Sequence, residues 1–405
     1  MQTNGDRYKW VILATLFTTH VLTSLGLFSI PVVLPIIKDS FCLNHAQAGM
    51  LTASYFLGIG LMSAIVGLLV DFFGVRKMTI FGTFLLGCSL IAAAWMSGIG
   101  FMMFLLISAG TGYSVITPAS NTAVMSWFNE RVRATAMGFK QTGINGGGFL
   151  GGLIVPSLAI ALGWRLALSM AGLIVGGAML LMILLYRDKD TLAHRSLTMS
   201  QWLLQVKDVL RNRSILLLSV EGFFRVGVQM AFLTYLVLYL HNGLHLSLVA
   251  ASLLFAIAQA SGGAGRIIWG LVSDRVFRER RKIVYMVISL IAMTFFFLFG
   301  QLRPSTYPWI VVIVVSCLSF TAAGHQGVSL TLIGECAGLK LTGTASGISQ
   351  SFFFLGAMLL SPIFGFIVDT FKSFSTAWSS LAFICLLCLF ILCFVNERPK
   401  SRERR

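Results

Sequence analysis

Apolar runs of about twenty residues alternate with short polar or charged breaks along the whole chain. An α-helix needs ~20 mostly apolar residues to cross a bilayer core. Twelve such runs are found, starting near Trp10, Gln47, Met78, Phe101, Ala134, Leu166, Ser214, Leu246, Ile283, Pro308, Leu341 and Phe374. The pattern predicts an all-α integral membrane protein with twelve transmembrane helices. The first run follows Arg7 and Lys9 as a signal peptide would, but it extends to about Ile37 and shows no small-x-small cleavage site, so it is expected to stay as helix 1.

The longest break carries many charges and the amphipathic piece SQWLLQVKDVL, and it divides the runs six and six. The expected organisation is an N-terminal six-helix bundle over residues 1–186, a linker over 187–213, a C-terminal bundle over 214–396 and a basic tail over 397–405. Similar segments recur across the linker. GLLVDFFGVRK (67–77) and GLVSDRVFRERRK (270–282) share Gly-x-x-x-Asp with a basic tail, Asp71 and Asp274 lying 203 residues apart. TAMGFKQ (135–141) and TASGISQ (344–350) match at a spacing of 209. Two near-equal offsets in the same order predict two pseudo-symmetric bundles, a transporter architecture.

Composition agrees, with 57% hydrophobic and 11% charged residues. Of 30 Lys and Arg, 23 fall at the termini or in even-to-odd connections, which by the positive-inside rule predicts both termini in the cytoplasm of an inner or plasma membrane. That distribution also accounts for the formal charge of +16 through topology and anionic lipid rather than nucleic acid. Seven cysteines show neither pairing pattern nor metal spacing and read as small core hydrophobes. No phosphate loop, nucleophile–base pair or metal constellation is visible, so neither an enzyme nor a cofactor is expected.

The segment 67–77 resembles the signature loop of the major facilitator superfamily, Gly-x-x-x-Asp-x-x-Gly-x-Arg-Lys, with its degenerate copy after the eighth run. The resemblance covers essentially the whole chain. It implies a monomeric secondary transporter whose bundles rock around a central site to give alternating access, with Gly67, Asp71, Gly74, Arg76 and Lys77, and then Gly270, Asp274 and Arg275, as gating loops. The physics is compatible: Gly67 permits close helix approach, Asp71 can accept from donors at a neighbouring helix end, and Arg76 with Lys77 can anchor to headgroups.

Three cations remain inside apolar runs, where a charge costs ~2.5–3.5 kcal/mol on insertion scales and usually faces a cavity or a partner. Arg266 lies eight residues before Asp274, roughly 12 Å inside the helix end, and Lys140 seven past Arg133, about 10 Å inside. Arg225 is deeper still, with Glu221 at i−4 as a ready partner. In the superfamily helices 1 and 7 line the cavity and organophosphate antiporters place one cation on each; here helix 1 offers His20 near the position equivalent to Arg225. Lys140 and Arg266 sit beside small-residue stripes, Gly143, Gly147 and Gly151 on one helix and Ser261, Gly262, Gly263 and Gly265 on the other. In the superfamily fold these two helices pack across the halves.

Arg266 in Arg-x-x-x-Gly before the charged loop resembles the carboxylate-binding arginine of monocarboxylate transporters and oxalate:formate antiporters. GTGYSVITPASNTAVMSWFNERVRATAMG resembles the same relatives, although position 262 is Gly where monocarboxylate transporters have Asp and helix 11 lacks the oxalate antiporter's lysine. A guanidinium suits a carboxylate because its planar fork donates two parallel hydrogen bonds and keeps its proton. Tyr113, Thr117, Asn121, Gln141, Asn145, Gln229, Tyr235, Gln259, His325, Gln326 and Gln350 complete the expected polar cavity. The sequence therefore points to a transporter of a small organic anion, a mono- or dicarboxylate, in the bilayer, and leaves open symport with a proton, exchange for a counter-anion and uniport. A proton-driven exporter of drugs or metabolites, or a transporter-like ligand sensor, are the other readings it leaves open.

Overall fold

The structure, a computed structural model, describes residues 3–128, 130–188, 199–277, 280–338 and 341–396. These residues form helices and connections without a strand. The first bundle holds α1 (Thr3–Ser40), α2 (His45–Phe73), α3 (Val75–Ala94), α4 (Ile99–Ser114) continued by α5 (Ile116–Trp127), α6 (Glu130–Leu162) and α7 (Trp164–Leu185). The amphipathic α8 (Met199–Arg211) occupies the described part of the linker. The second bundle holds α9 (Arg213–Leu238), α10 (Leu248–Arg275), α11 (Arg281–Gly300), α12 (Pro308–Ala322) continued by α13 (Gln326–Ala337), α14 (Thr342–Phe371) and α15 (Phe374–Cys393). Eleven of the described stretches are long and apolar enough to cross a membrane, and α2 adds a further 29-residue helix packed between α4 and α14. The protein is an integral, multi-pass membrane protein. Part of the expected linker, 189–198, and the whole tail, 397–405, lie outside the described residues.

Local sequence explains the joints. Pro118 has no N–H to bond the Ser114 carbonyl, and the fourth span breaks there into α4 and α5. Gly324 sits at the corresponding break between α12 and α13, where a side chain would lie 3.0 Å from the Gly265 Cα. Between α2 and α3 the backbone turns at Gly74 with φ +87°, a conformation costly for any residue with a Cβ.

Within the first bundle α1 packs on α6 and α7, and α3 on α7; within the second, α9 packs on α14 and α11 on α15. The bundles meet through α2 on α14, α6 on α10 and α1 on α9. Glycines set two of these approaches, and α6 carries two stripes rather than one. Gly143 and Gly147 face α1 inside their own bundle, a Cβ at Gly147 falling 2.3 Å from the Val21 carbonyl oxygen. Gly148 and Gly152 face α10 across the bundles, with Ser252 O and Ala256 N 2.9 Å from a Cβ at Gly152.

The interface is splayed. Taking the face where α1 begins and α15 ends as the terminal face, α2 and α14 touch closely near the opposite, distal face, where a Cβ at Gly49 would stand 2.8 Å from Ser361 O. Midway, Gly60 is 3.5 Å from Phe354, and nearer the terminal face Gly67 and Gly347 have nothing within 4 Å. The two bundles thus form a V that is closed distally and open on the terminal face.

Candidate functional site

A cavity of about 420 Å³ occupies the V. Its floor is apolar, with Leu27, Phe28, Phe56 and Met230, and Phe28 meets Phe255 across the bundles with ring centroids 5.9 Å apart. Below, Thr52 and Thr234 face each other at 3.3 Å, and at the distal end Tyr235 donates to the His45 carbonyl at 2.5 Å. Toward the terminal face the walls are Asn121, Gly138, Thr331 and Ser346, all within the terminal halves of their helices.

Arg266 is the only charged side chain among the described residues lining this cavity. Its Nε donates to the Ala323 carbonyl at 3.3 Å, which fixes the guanidinium at the break between α12 and α13, while Nη1 is buried and bonds to no described residue. A buried donor without a partner is costly unless something else satisfies it. Six carboxamides share the cavity: Asn121, Gln141, Gln229, Gln259, Gln326 and Gln350. Tyr113 and Thr117 also line it, the Tyr113 hydroxyl lying 3.1 Å from Ser24 Oγ. Asn145 stands behind Gln259, donating to its carbonyl at 3.1 Å and its Oε1 at 3.3 Å across the bundles. The Gln259 Nε2 group is left without a described acceptor.

The other two membrane cations do not line the cavity. Arg225 is fully buried, donates from Nε to Glu221 Oε1 at 3.0 Å and from Nη2 to Ser289 Oγ, and lies over the Tyr285 ring at 5.3 Å. His325, likewise buried, stacks on Tyr285 and bonds the Ala322 carbonyl through Nδ1 at 2.9 Å. Lys140 is fully buried in the first bundle, donating to Ser120 Oγ at 2.8 Å and Asn121 Oδ1 at 2.6 Å. His20 adjoins it, with Nδ1 on the Leu16 carbonyl at 3.0 Å and Nε2 3.5 Å from Ser120 Oγ. Tyr235 belongs to the distal closure. Of the expected ligands, the structure gathers Arg266, Tyr113, Gln141, Gln229, Gln259 and Gln350 around one space and sets Lys140, Arg225, His20, Asn145, Tyr235 and His325 behind it.

The loop residues engage their own bundles. Arg76 donates from Nη2 to the Ile183 carbonyl at 2.5 Å and from its backbone N–H to Asp188 Oδ1 at 3.3 Å. Lys77 is exposed, and the side chain of Asp71 lies outside the described residues. In the second bundle Asp274 accepts from Arg281 at 2.9 Å, and Arg281 also reaches Glu335 at 2.8 Å. Gly270 faces open space and Arg275 is exposed at the end of α10. Sequence reasoning missed Arg281, which looked like one more basic loop residue. It also missed Asp369, whose carboxylate bonds the start of α2 from the other bundle; an acid at the end of an apolar run was the available signal.

The profile of the Major Facilitator Superfamily matches residues 16–361. The chain is 23% identical to the hexuronate transporter of Bacillus subtilis, over 91% of this chain and 90% of that protein. It is 25% identical to the probable L-galactonate transporter of Escherichia coli, over 95% and 90%. Its fold superposes, with a TM-score of 0.78 and 16% identity, on a bacterial homologue of the human lysosomal transporter Spinster solved in an inward-facing and occupied conformation, covering 96% of this chain and 97% of that one.

Proposed function

The chain belongs to the Major Facilitator Superfamily and is a secondary transporter, and on that premise we propose that its substrate is a small organic monoanion, a hydroxylated carboxylate of sugar-acid size. The observation that carries this reading is Arg266: a cavity-lining guanidinium whose buried Nη1 has no partner, and beside which no carboxylate lines the cavity, among the described residues. The planar fork matches a carboxylate. The six carboxamides together offer both donors and acceptors, the combination that sugar hydroxyls require. Among the described residues a single cation lines the cavity, which suits one negative charge, because Arg225 is neutralised by Glu221 and Lys140 does not reach the cavity. The names of the hexuronate and galactonate relatives support the same class. A cavity lined, among the described residues, by a cation and no acid disfavours cationic drugs.

With the basic connections placed in the cytoplasm, the terminal face is cytoplasmic and the structure represents the inward-facing state. The loops at 67–77 and 270–282 then close that face in the opposite state, residues 1–186 and 214–396 being the rocking units. A thermal-shift screen of purified protein tests the substrate class. Hexuronates and aldonates should raise the melting temperature, whereas neutral hexoses of equal size should not. Stabilisation by neutral or cationic solutes, with carboxylates inert, would overturn the reading.

A further inference from the structure

Lys140 is fully buried, and its Nζ meets two neutral oxygens, Ser120 Oγ and Asn121 Oδ1. A protonated Nζ has three donors and no acceptor, which matches the Asn121 atom it meets at 2.6 Å being the carbonyl oxygen. The orientation of that amide is therefore fixed by chemistry: its NH2 group is the end turned away from Lys140. Asn121 itself lines the cavity, on the first bundle, while Arg266 lines it on the second. Beside Lys140, His20 places Nδ1 3.0 Å from the Leu16 carbonyl and Nε2 3.5 Å from Ser120 Oγ.

We propose that Lys140 is a positioning residue that holds the Asn121 amide with its NH2 presented to the cavity, so that the substrate carboxylate is gripped by one donor group from each bundle, Asn121 and Arg266. This rests on the anion reading above and gives it a mechanical consequence. An anion held between α5 and α10 ties the two bundles together, and polarisation by the adjacent ammonium strengthens the Asn121 N–H as a donor. Lys140 acts on the site through the Asn121 amide, without touching the substrate.

Asn121→Asp separates this role from a structural one. The carboxylate keeps, and improves, the Lys140 contact, so a purely structural lysine would tolerate the change, whereas the proposed role loses its donor and gains a like charge facing the anion. With D-galacturonate as probe in equilibrium binding to detergent-purified protein, Asn121→Asp should retain the wild-type melting temperature and bind at least about 10-fold more weakly. Lys140→Met and Asn121→Ala should each weaken binding, and the double variant should bind no more weakly than the worse single one, since both remove the same oriented donor. Wild-type affinity in Asn121→Asp, or strictly additive losses in the double variant, would overturn the proposal. Arg266→Gln measured alongside keeps the two claims apart. If it abolishes binding while Asn121→Asp does not, only the positioning role fails; if wild-type protein binds no carboxylate, the anion reading fails and takes this inference with it.

Discussion

Asp369 at the end of α14 reaches the start of α2 in the other bundle, accepting from the backbone N–H of His45 at 3.0 Å and of Ala46 at 2.8 Å. The His45 ring adds Nδ1 at 2.7 Å from the same carboxylate. A helix start is a place where a negative charge and its acceptors are favoured. Asn44 is the N-cap of α2 within its own bundle, accepting from the Gln47 N–H at 2.8 Å, and Asp369 adds acceptors for the first two N–H groups from across the interface between the bundles.

Asp369→Ala should therefore destabilise the distally closed state described here relative to a distally open one. Asn44 still caps the helix in the variant, so what is lost is the charged contact with the helix start and the His45 ring; a negative charge there contributes about 0.3–1 kcal/mol, enough to raise the distally open population by up to several-fold. Thiol labelling of a cysteine placed at Thr52 should become faster in the variant. An unaltered labelling rate with an intact fold would show that the Asp369 contact does not hold the distal face.

The Glu221–Arg225 pair is predicted to be structural. Glu221→Gln leaves Arg225 as an uncompensated buried charge, a loss of about 3–5 kcal/mol for comparable buried pairs. Thermal unfolding in detergent should show a large drop for Glu221→Gln and substantial recovery for Glu221→Leu combined with Arg225→Met. Substrate affinity of that double variant should match wild type, and a loss of binding with stability recovered would place Arg225 in the site after all.

Glycines on the two sides of the V should respond differently to enlargement. Gly152→Leu forces a side chain into α10 and should lower stability outright. Gly67→Leu meets open space here, yet must be accommodated when the terminal face closes. It should leave the melting temperature intact and block transport, and preserved uptake would mean that α2 does not close onto α14 at this level.

The spans, their grouping into two bundles and the presence of Arg266 inside an apolar run were legible because apolar run length, charge asymmetry and internal offsets are written directly along the chain. What a sequence gives poorly is the rotation of each helix about its axis. Lys140 and Arg266 lie at similar expected depths, yet one faces Ser120 and Asn121 inside its bundle and the other faces the cavity. The Glu221–Arg225 spacing announced a pair, whereas Ser289 and Tyr285, which close around it, come from α11 and leave no local trace. Asp369 and His45 are 324 residues apart, and only the packing of α2 on α14 joins them.

The central claim is that Arg266 holds the negative charge of the substrate, and equilibrium binding of a hexuronate to Arg266→Gln tests it most directly. Removing a charged hydrogen-bond donor should weaken binding on the order of 10- to 100-fold, with Arg266→Lys intermediate because a point charge replaces the planar fork, while the melting temperature without ligand stays near wild type. Equal hexuronate affinity in wild type and Arg266→Gln would contradict the account.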